Sequence, residues 1–177
     1  MRVTGGVFRS RLLVAPKGLS TRPTTDRVRE ALFSILGSID SLRVLDVFAG
    51  TGALGLEALS RGARSAVFVE SAKPAVASLR KNIEALGVSG QTRVIAKRIE
   101  NALKELTEER FDLVLCDPPW DEVPALGDVL IGLGGLLAEG GVLVLEHAKR
   151  TAPPTIRGLR MTDTRKYGDT QVSFFRP

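Results

Sequence analysis

The chain has 177 residues, 44% hydrophobic and 25% charged, enough for one compact domain that buries roughly 70% of the surface its unfolded form exposes. Its single cysteine, Cys116, excludes an internal disulfide and a cysteine-based zinc cluster, and no apolar run approaches the roughly 20 residues of a membrane-spanning helix. Residues 1–30 carry the whole net charge of +5, with seven basic side chains against Asp26 and Glu30; such a segment is either an electrostatic footprint for a phosphate backbone or a solvated arm.

The first residues lack the continuous apolar stretch of a signal peptide, so a soluble, cytoplasmic protein is expected. Residues 2–14 alternate loosely around Gly5 and Gly6, which predicts a short β-hairpin; Pro16, Gly18 and Pro23 then break the chain. Residues 1–24 thus read as a basic arm, and 25–177 as the single domain it leads into. Thr24, Thr25 and Asp26 are N-cap candidates for a helix whose apolar face is Val28, Ala31, Leu32, Ile35, Leu36 and Ile39.

From Arg43 onward, short apolar runs at 43–48, 66–70, 92–96, 111–116 and 141–146 alternate with helical patterns, an α/β alternation that predicts a parallel sheet with helices on both faces. Pro74 sits in the first turn of one helix, which presents Val76, Leu79, Ile83 and Leu86 and stops at Gly87. Further helices are expected at about 99–108 and 123–137. The end departs from the rule: two runs separated only by Gly168 and Asp169 predict an antiparallel hairpin that closes the sheet.

Directly after the first strand, Asp46, Val47, Phe48, Ala49, Gly50, Thr51 and Gly52 lead to Gly55, so that 50–55 spells GxGxxG. Glycines here let backbone approach a ligand while opening the next helix. Glu70 ends the second strand, where a carboxylate can bond both hydroxyls of an adenosine ribose. A dinucleotide-dependent oxidoreductase shares these features. Position favours the other reading, because Asp46 and Phe48 precede the first glycine. A carboxylate at the strand tip repels a pyrophosphate but accepts hydrogen bonds, directly or through water, from the ammonium of an amino-acid-like cofactor such as S-adenosyl-L-methionine.

Cys116 is followed by Asp117, Pro118, Pro119 and Trp120, which places a rigid turn at the carboxyl edge of the sheet beside the glycine loop. An exocyclic base amine is a poor nucleophile and must be held in line with the donor methyl. Asp117 and the Pro118 carbonyl can accept its two N–H bonds, steering the nitrogen toward tetrahedral geometry and stabilising the charge that develops. Trp120 offers an extruded base a stacking face worth ~1–3 kcal/mol. Cys116 reads as a buried thiol and His147, the sole histidine, as a surface or loop residue rather than a catalyst.

Taken together, GGVFRSRLLVAP, RPTTDRVREALFSIL, LDVFAGTGALGLEALSRGA, DPPW and RKYGDTQVSFF closely resemble the RsmD family of 16S ribosomal RNA guanine-N2 methyltransferases, from end to end. The resemblance implies a Rossmann-like methyltransferase fold with a mainly parallel seven-stranded sheet, S-adenosyl-L-methionine as donor, S-adenosyl-L-homocysteine as product and no metal. Its implied substrate is a guanine of 16S rRNA, presented by an assembled or nearly assembled small subunit to a monomeric enzyme. The donor would lie across Asp46, Phe48, Ala49, Gly50, Thr51, Gly52, Glu70 and Ser71, and the amine against Asp117, Pro118, Pro119 and Trp120. Arg9, Arg11, Arg22, Arg27 and Arg29 would meet RNA phosphate.

Two departures stand out. Trp120 replaces the family's usual tyrosine, keeping the stacking face and losing the hydroxyl. Ala96, Lys97, Arg98 and Ile99 stand where related enzymes place an acidic or amide side chain against adenine, which leaves backbone groups of Arg98 and Ile99 for that contact. An adenine-N6 methyltransferase would use the same pocket, and a non-catalytic RNA-binding factor could share the scaffold.

Overall fold

The computed structural model describes residues 1–16 and 25–177. Its elements alternate as the sequence pattern demands: α1 (Asp26–Leu36), β1 (Arg43–Val47), α2 (Ala53–Ser60), β2 (Ser65–Val69), α3 (Lys73–Leu86), β3 (Thr92–Ile95), α4 (Ile99–Glu105) and β4 (Phe111–Cys116). There follow α5 (Gly127–Gly135), β5 (Leu137–Ala148), β6 (Arg160–Tyr167) and β7 (Thr170–Arg176). The seven strands form one sheet in the order β3-β2-β1-β4-β5-β7-β6, parallel through β5 and antiparallel where β7 enters.

Strand residues alternate between two cores. Val44, Leu113, Leu115, Val142 and Val144 pack with α1, α2 and α3 on one face. Leu45, Val47, Val114, Cys116, Leu143 and Leu145 pack with α4 and α5 on the other. Burial on both faces explains why these strands read as continuous apolar runs. The strand order reverses between β1 and β4, and in open α/β sheets such a switch point opens a crevice at the carboxyl ends of the strands. Both sequence motifs end there.

The helix from Pro74 forms as expected, with Val76, Leu79, Ile83 and Leu86 buried and Gly87 at φ 70° ending it in a left-handed cap. Gly168 and Asp169 make the predicted two-residue turn, with Tyr167 opposite Thr170. Thr25 caps α1, its hydroxyl accepting from the Val28 N–H at 3.3 Å.

Three expectations need correction. The buried face of α1 is Val28, Arg29, Leu32 and Phe33, whereas Ile35 is 39% exposed. The helix is rotated because Arg29 is drawn inward by acidic partners, which an apolar pattern does not reveal. The 123–137 pattern divides into a single 3-10 turn, Val123–Ala125, then α5, and β5 begins at Leu137. The expected hairpin of the arm is reduced to one antiparallel bridge, Arg2 to Leu12, around a turn at 5–10.

The arm is fastened by side chains instead of a strand ladder. Glu57, on α2 and fully buried, accepts from the Thr4 N–H at 2.7 Å, the Thr4 hydroxyl at 2.8 Å and Arg61 Nε at 2.8 Å. Arg29 Nε lies 3.4 Å from the same carboxylate.

Candidate active site

β1 and β4 are adjacent and parallel, with Val47 opposite Cys116. The next residues on each, Phe48 and Asp117, therefore leave the sheet side by side at its carboxyl edge.

The glycine loop turns sharply. Phe48 has φ 58°, an uncommon left-handed conformation for a bulky residue, and Gly50 and Gly52 follow at 56° and 83°. A side chain on Gly52 would strike Leu79, its nearest atom 2.4 Å away, whereas the space beside Gly50 is open. That opening is a cradle in exposed backbone. Ala49 N–H donates to the Val69 carbonyl at 3.1 Å, tying the loop to the end of β2.

Glu70 completes the cradle. Its Oε2 accepts from Gly50 N–H at 2.8 Å, and its Oε1 accepts from the N–H groups of Ser71 and Ala72, both at 2.8 Å. Three backbone donors thus fix a half-buried carboxylate beside the loop, and Oε2, with one donor, keeps lone-pair capacity for a further one.

Asp46 takes a different place from the one expected. It is 1% exposed and lies beneath the loop, its Oδ2 accepting from Gly55 N–H at 2.8 Å. Burial pushes its carboxyl up to about 8, the Gly55 N–H pulls it partly back, and the nearby Asp117 and Glu70 carboxylates add to the rise. In this arrangement Asp46 shapes the loop from below and has no surface for direct contact with a ligand. Gly55 permits this approach, since a Cβ there would stand 2.4 Å from the Phe68 ring.

Asp117 is half-buried, Pro118 buried, Pro119 exposed and Trp120 half-buried, so the turn presents its acid and aromatic at the rim. Burial, with Asp117 and Asp46 nearby, holds the Cys116 thiol well above its usual range, which removes it as a thiolate nucleophile. Arg98 stands at the N-cap of α4 with its guanidinium on Glu100 at 3.2 Å, and Ile99 opens the helix, its side chain buried.

His147 is not on a surface or loop. It is fully buried in β5, Nδ1 3.1 Å from the Ala148 carbonyl and Nε2 3.0 Å from the Ser173 hydroxyl, and burial lowers its pKa. A tautomer with the proton on Nδ1 satisfies both contacts.

The family model described as Conserved hypothetical protein 95 matches residues 1–176. The ribosomal RNA small subunit methyltransferase D of Escherichia coli K12 is 38% identical over 162 residues, 88% of this chain and 79% of its own. This chain belongs to the RsmD family. Another relative, Bacillus subtilis YlbH, is 37% identical over 181 residues, 99% of this chain and 98% of its own. Among solved structures, a Thermus thermophilus protein superposes with a TM-score of 0.86 at 35% identity, over 100% of this chain and 99% of that one. The Escherichia coli yhhF protein gives 0.86 at 31%, over 99% and 96%.

Within this RsmD-family fold the five arginines singled out from the sequence part company. Arg29 is fully buried, pairing with Asp26 at 2.8 Å and with Glu57, which corrects its assignment to RNA. Arg11 is exposed but donates to the Ala85 carbonyl at 2.9 Å, where it caps the last turn of α3. Arg9 and Arg27 are exposed. Arg22 lies outside the described residues.

Asn82 escaped the sequence reading. It is 1% exposed on α3, and its amide joins Val14 of the arm to the Thr51 carbonyl of the glycine loop. An asparagine within a largely apolar helical face was the available signal.

Proposed function

We propose that this protein transfers a methyl group from S-adenosyl-L-methionine to the exocyclic N2 of a guanine in 16S rRNA of the small ribosomal subunit. The register that sets Phe48 beside Asp117 carries the reading, because it joins a cofactor cradle to an amine-holding turn in one crevice. The relative named ribosomal RNA small subunit methyltransferase D supports the substrate class.

The residues present fit the donor: open backbone at Gly50, a fixed carboxylate at Glu70, and a loop held from beneath by Asp46. Phe48, Ala49, Gly50, Thr51, Gly52, Glu70 and Ser71 would hold it, with backbone groups of Arg98 and Ile99 toward the adenine. When bound, it supplies an electrophilic methyl group and leaves as S-adenosyl-L-homocysteine.

Asp117 and the Pro118 carbonyl accept the two N–H bonds of the amine, which localises its lone pair toward the methyl carbon. As the new C–N bond forms, the Asp117 carboxylate stabilises positive charge on nitrogen, and the surplus proton passes to solvent. Pro119 stiffens the turn. Trp120 stacks on the extruded base, offsetting part of the few kcal/mol spent in unstacking it. The same reading takes 1–24 as an arm and 25–177 as the methyltransferase domain of a cytoplasmic monomer that needs no metal.

The test is transfer of labelled methyl to small subunits lacking the modification, followed by nucleoside analysis. N2-methylguanosine is the expected product. N6-methyladenosine would keep the site and overturn the base, and absence of donor binding would overturn the enzyme.

A further inference from the structure

The turn of the basic arm, residues 5–10, does not lie near the crevice. α2 leaves the glycine loop at the carboxyl edge and returns the chain to β2, whose first residue, Ser65, pairs with Arg43 at the start of β1. Its last residue, Ser60, therefore lies toward the amino edge. The arm's turn is pinned there, by Val7 N–H to the Ser60 carbonyl at 2.8 Å and Phe8 N–H to the Ser60 hydroxyl at 2.9 Å. Arg11 grips Ala85 near the corresponding end of α3. With 1.5 Å per residue, Ala85 lies roughly 18 Å along α3 from its start beside Glu70.

Other cations occupy the reacting edge. β5 and β6 both run antiparallel to β7 and hence parallel to each other; Lys166 pairs with Gln171, which pairs with His147. The ends of β5 and β6 thus emerge at one edge, carrying Lys149 and Arg150 after Ala148, and Lys166 beside Tyr167. Lys149 N–H donates to the Asp169 carbonyl at 2.7 Å, clamping the loop after β5 to the hairpin turn. Because Cys116 pairs with Leu145, Asp117 shares this edge. Strand spacing and rise put Lys149 roughly 10–12 Å, and Lys166 roughly 15 Å, from Asp117 along the backbone.

Lys149, Arg150 and Lys166 are exposed, and among the described residues none has a carboxylate within ion-pair distance. The acidic residues nearest them in sequence are Glu146, before Lys149, and Asp163 and Asp169, on either side of Lys166. Their neighbourhood gives them a task. Glu70, Asp117 and Glu146 stand at or near the carboxyl ends of β2, β4 and β5, and carboxylates there repel a polyanion. A cationic flank is needed for RNA to approach.

We infer that Lys149, Arg150 and Lys166 form a phosphate-binding rim on the β5–β6 side of the crevice, holding the RNA backbone next to the target nucleotide. The rim rests on the methyl-transfer reading above and assigns the grip nearest the reaction to the end of the sheet instead of the tip of the arm.

The experiment measures equilibrium binding of the full chain to a 16S rRNA transcript across a salt series, for the unaltered protein and for Lys149→Ala, Arg150→Ala and Lys166→Ala, singly and combined. Removing one cation from a phosphate should flatten the logarithmic salt slope by about 0.7, and the triple variant should flatten it by about 2. Between 50 and 200 mM salt the triple variant should then lose roughly 15–20-fold less affinity than the unaltered protein. Donor affinity should be unchanged, and Lys149→Arg with Lys166→Arg should keep the original slope. An unchanged slope in the single and triple alanine variants overturns the rim. A flattened slope, in a protein whose unaltered form methylates no RNA, supports the rim and overturns the reading beneath it.

Discussion

The side-chain amide of Asn82 donates to the Thr51 carbonyl across 3.0 Å, fixing the middle of α3 to the glycine loop. The same group donates to the Val14 carbonyl at 3.0 Å, and its oxygen accepts from the Val14 N–H at 2.7 Å. One buried amide therefore sets the position of the arm and of the proposed donor cradle together. Asn82→Ala leaves these backbone groups without their partner, at an expected cost of about 1–3 kcal/mol. Thermal melts should show that loss, and calorimetry should show donor affinity weakened several-fold. Unchanged donor affinity in the folded variant would confine Asn82 to stability.

Glu57 answers to three donors and two arginines. Glu57→Ala removes one of the two carboxylates that meet the fully buried Arg29 guanidinium and leaves Asp26, so the cost should stay below the ~3–5 kcal/mol of breaking a buried pair outright. Residues 1–16 lose their attachment at Thr4 as well. Hydrogen exchange of the arm should quicken in this variant more than exchange in β1 or β4; equal effects throughout would mean that Glu57 supports only the core.

Asp46 gives a pH dependence of definite sign. Its carboxyl is raised from 3.8 to about 8 in the folded protein, so the folded state holds a proton that the unfolded chain releases. The associated stability is fully present below pH 3.8 and is lost as pH rises through about 8. Asp46→Asn keeps an acceptor for Gly55 N–H and removes the titration. The variant should melt above the unaltered protein at pH 8, with the gap closing toward pH 4. A gap independent of pH would contradict the shift.

Much of this fold was legible because burial on both sheet faces leaves apolar runs, as at 111–116 and 43–47, that glycine and proline punctuate. What hid from the sequence were polar groups buried with partners distant in the chain. Arg29 reads as a surface cation until Glu57 and Asp26 are seen around it. His147 reads as a loop residue until the β7 register supplies Ser173. The crevice residues were legible as motifs, whereas the distance of the arm's tip from them depended on where α2 and α3 end.

Trp120 should act through its ring alone. Trp120→Phe is expected to retain most transfer, and Trp120→Ala to lower kcat/KM for RNA by about 5- to 150-fold, the equivalent of 1–3 kcal/mol of stacking. Steady-state kinetics with small subunits checks this. Equal kcat/KM in the two variants would remove stacking from the account.

The most direct test of the central claim is the single-turnover rate of methyl transfer by Asp117→Ala, measured with donor affinity in parallel. If Asp117 holds the amine and stabilises its developing charge, the rate falls about 10²–10³-fold, as when one preorganised group that stabilises transition-state charge is removed, while the donor still binds at the Gly50 and Glu70 cradle. A rate unchanged in the variant would show that the crevice between β1 and β4 does not hold the reacting nitrogen against Asp117.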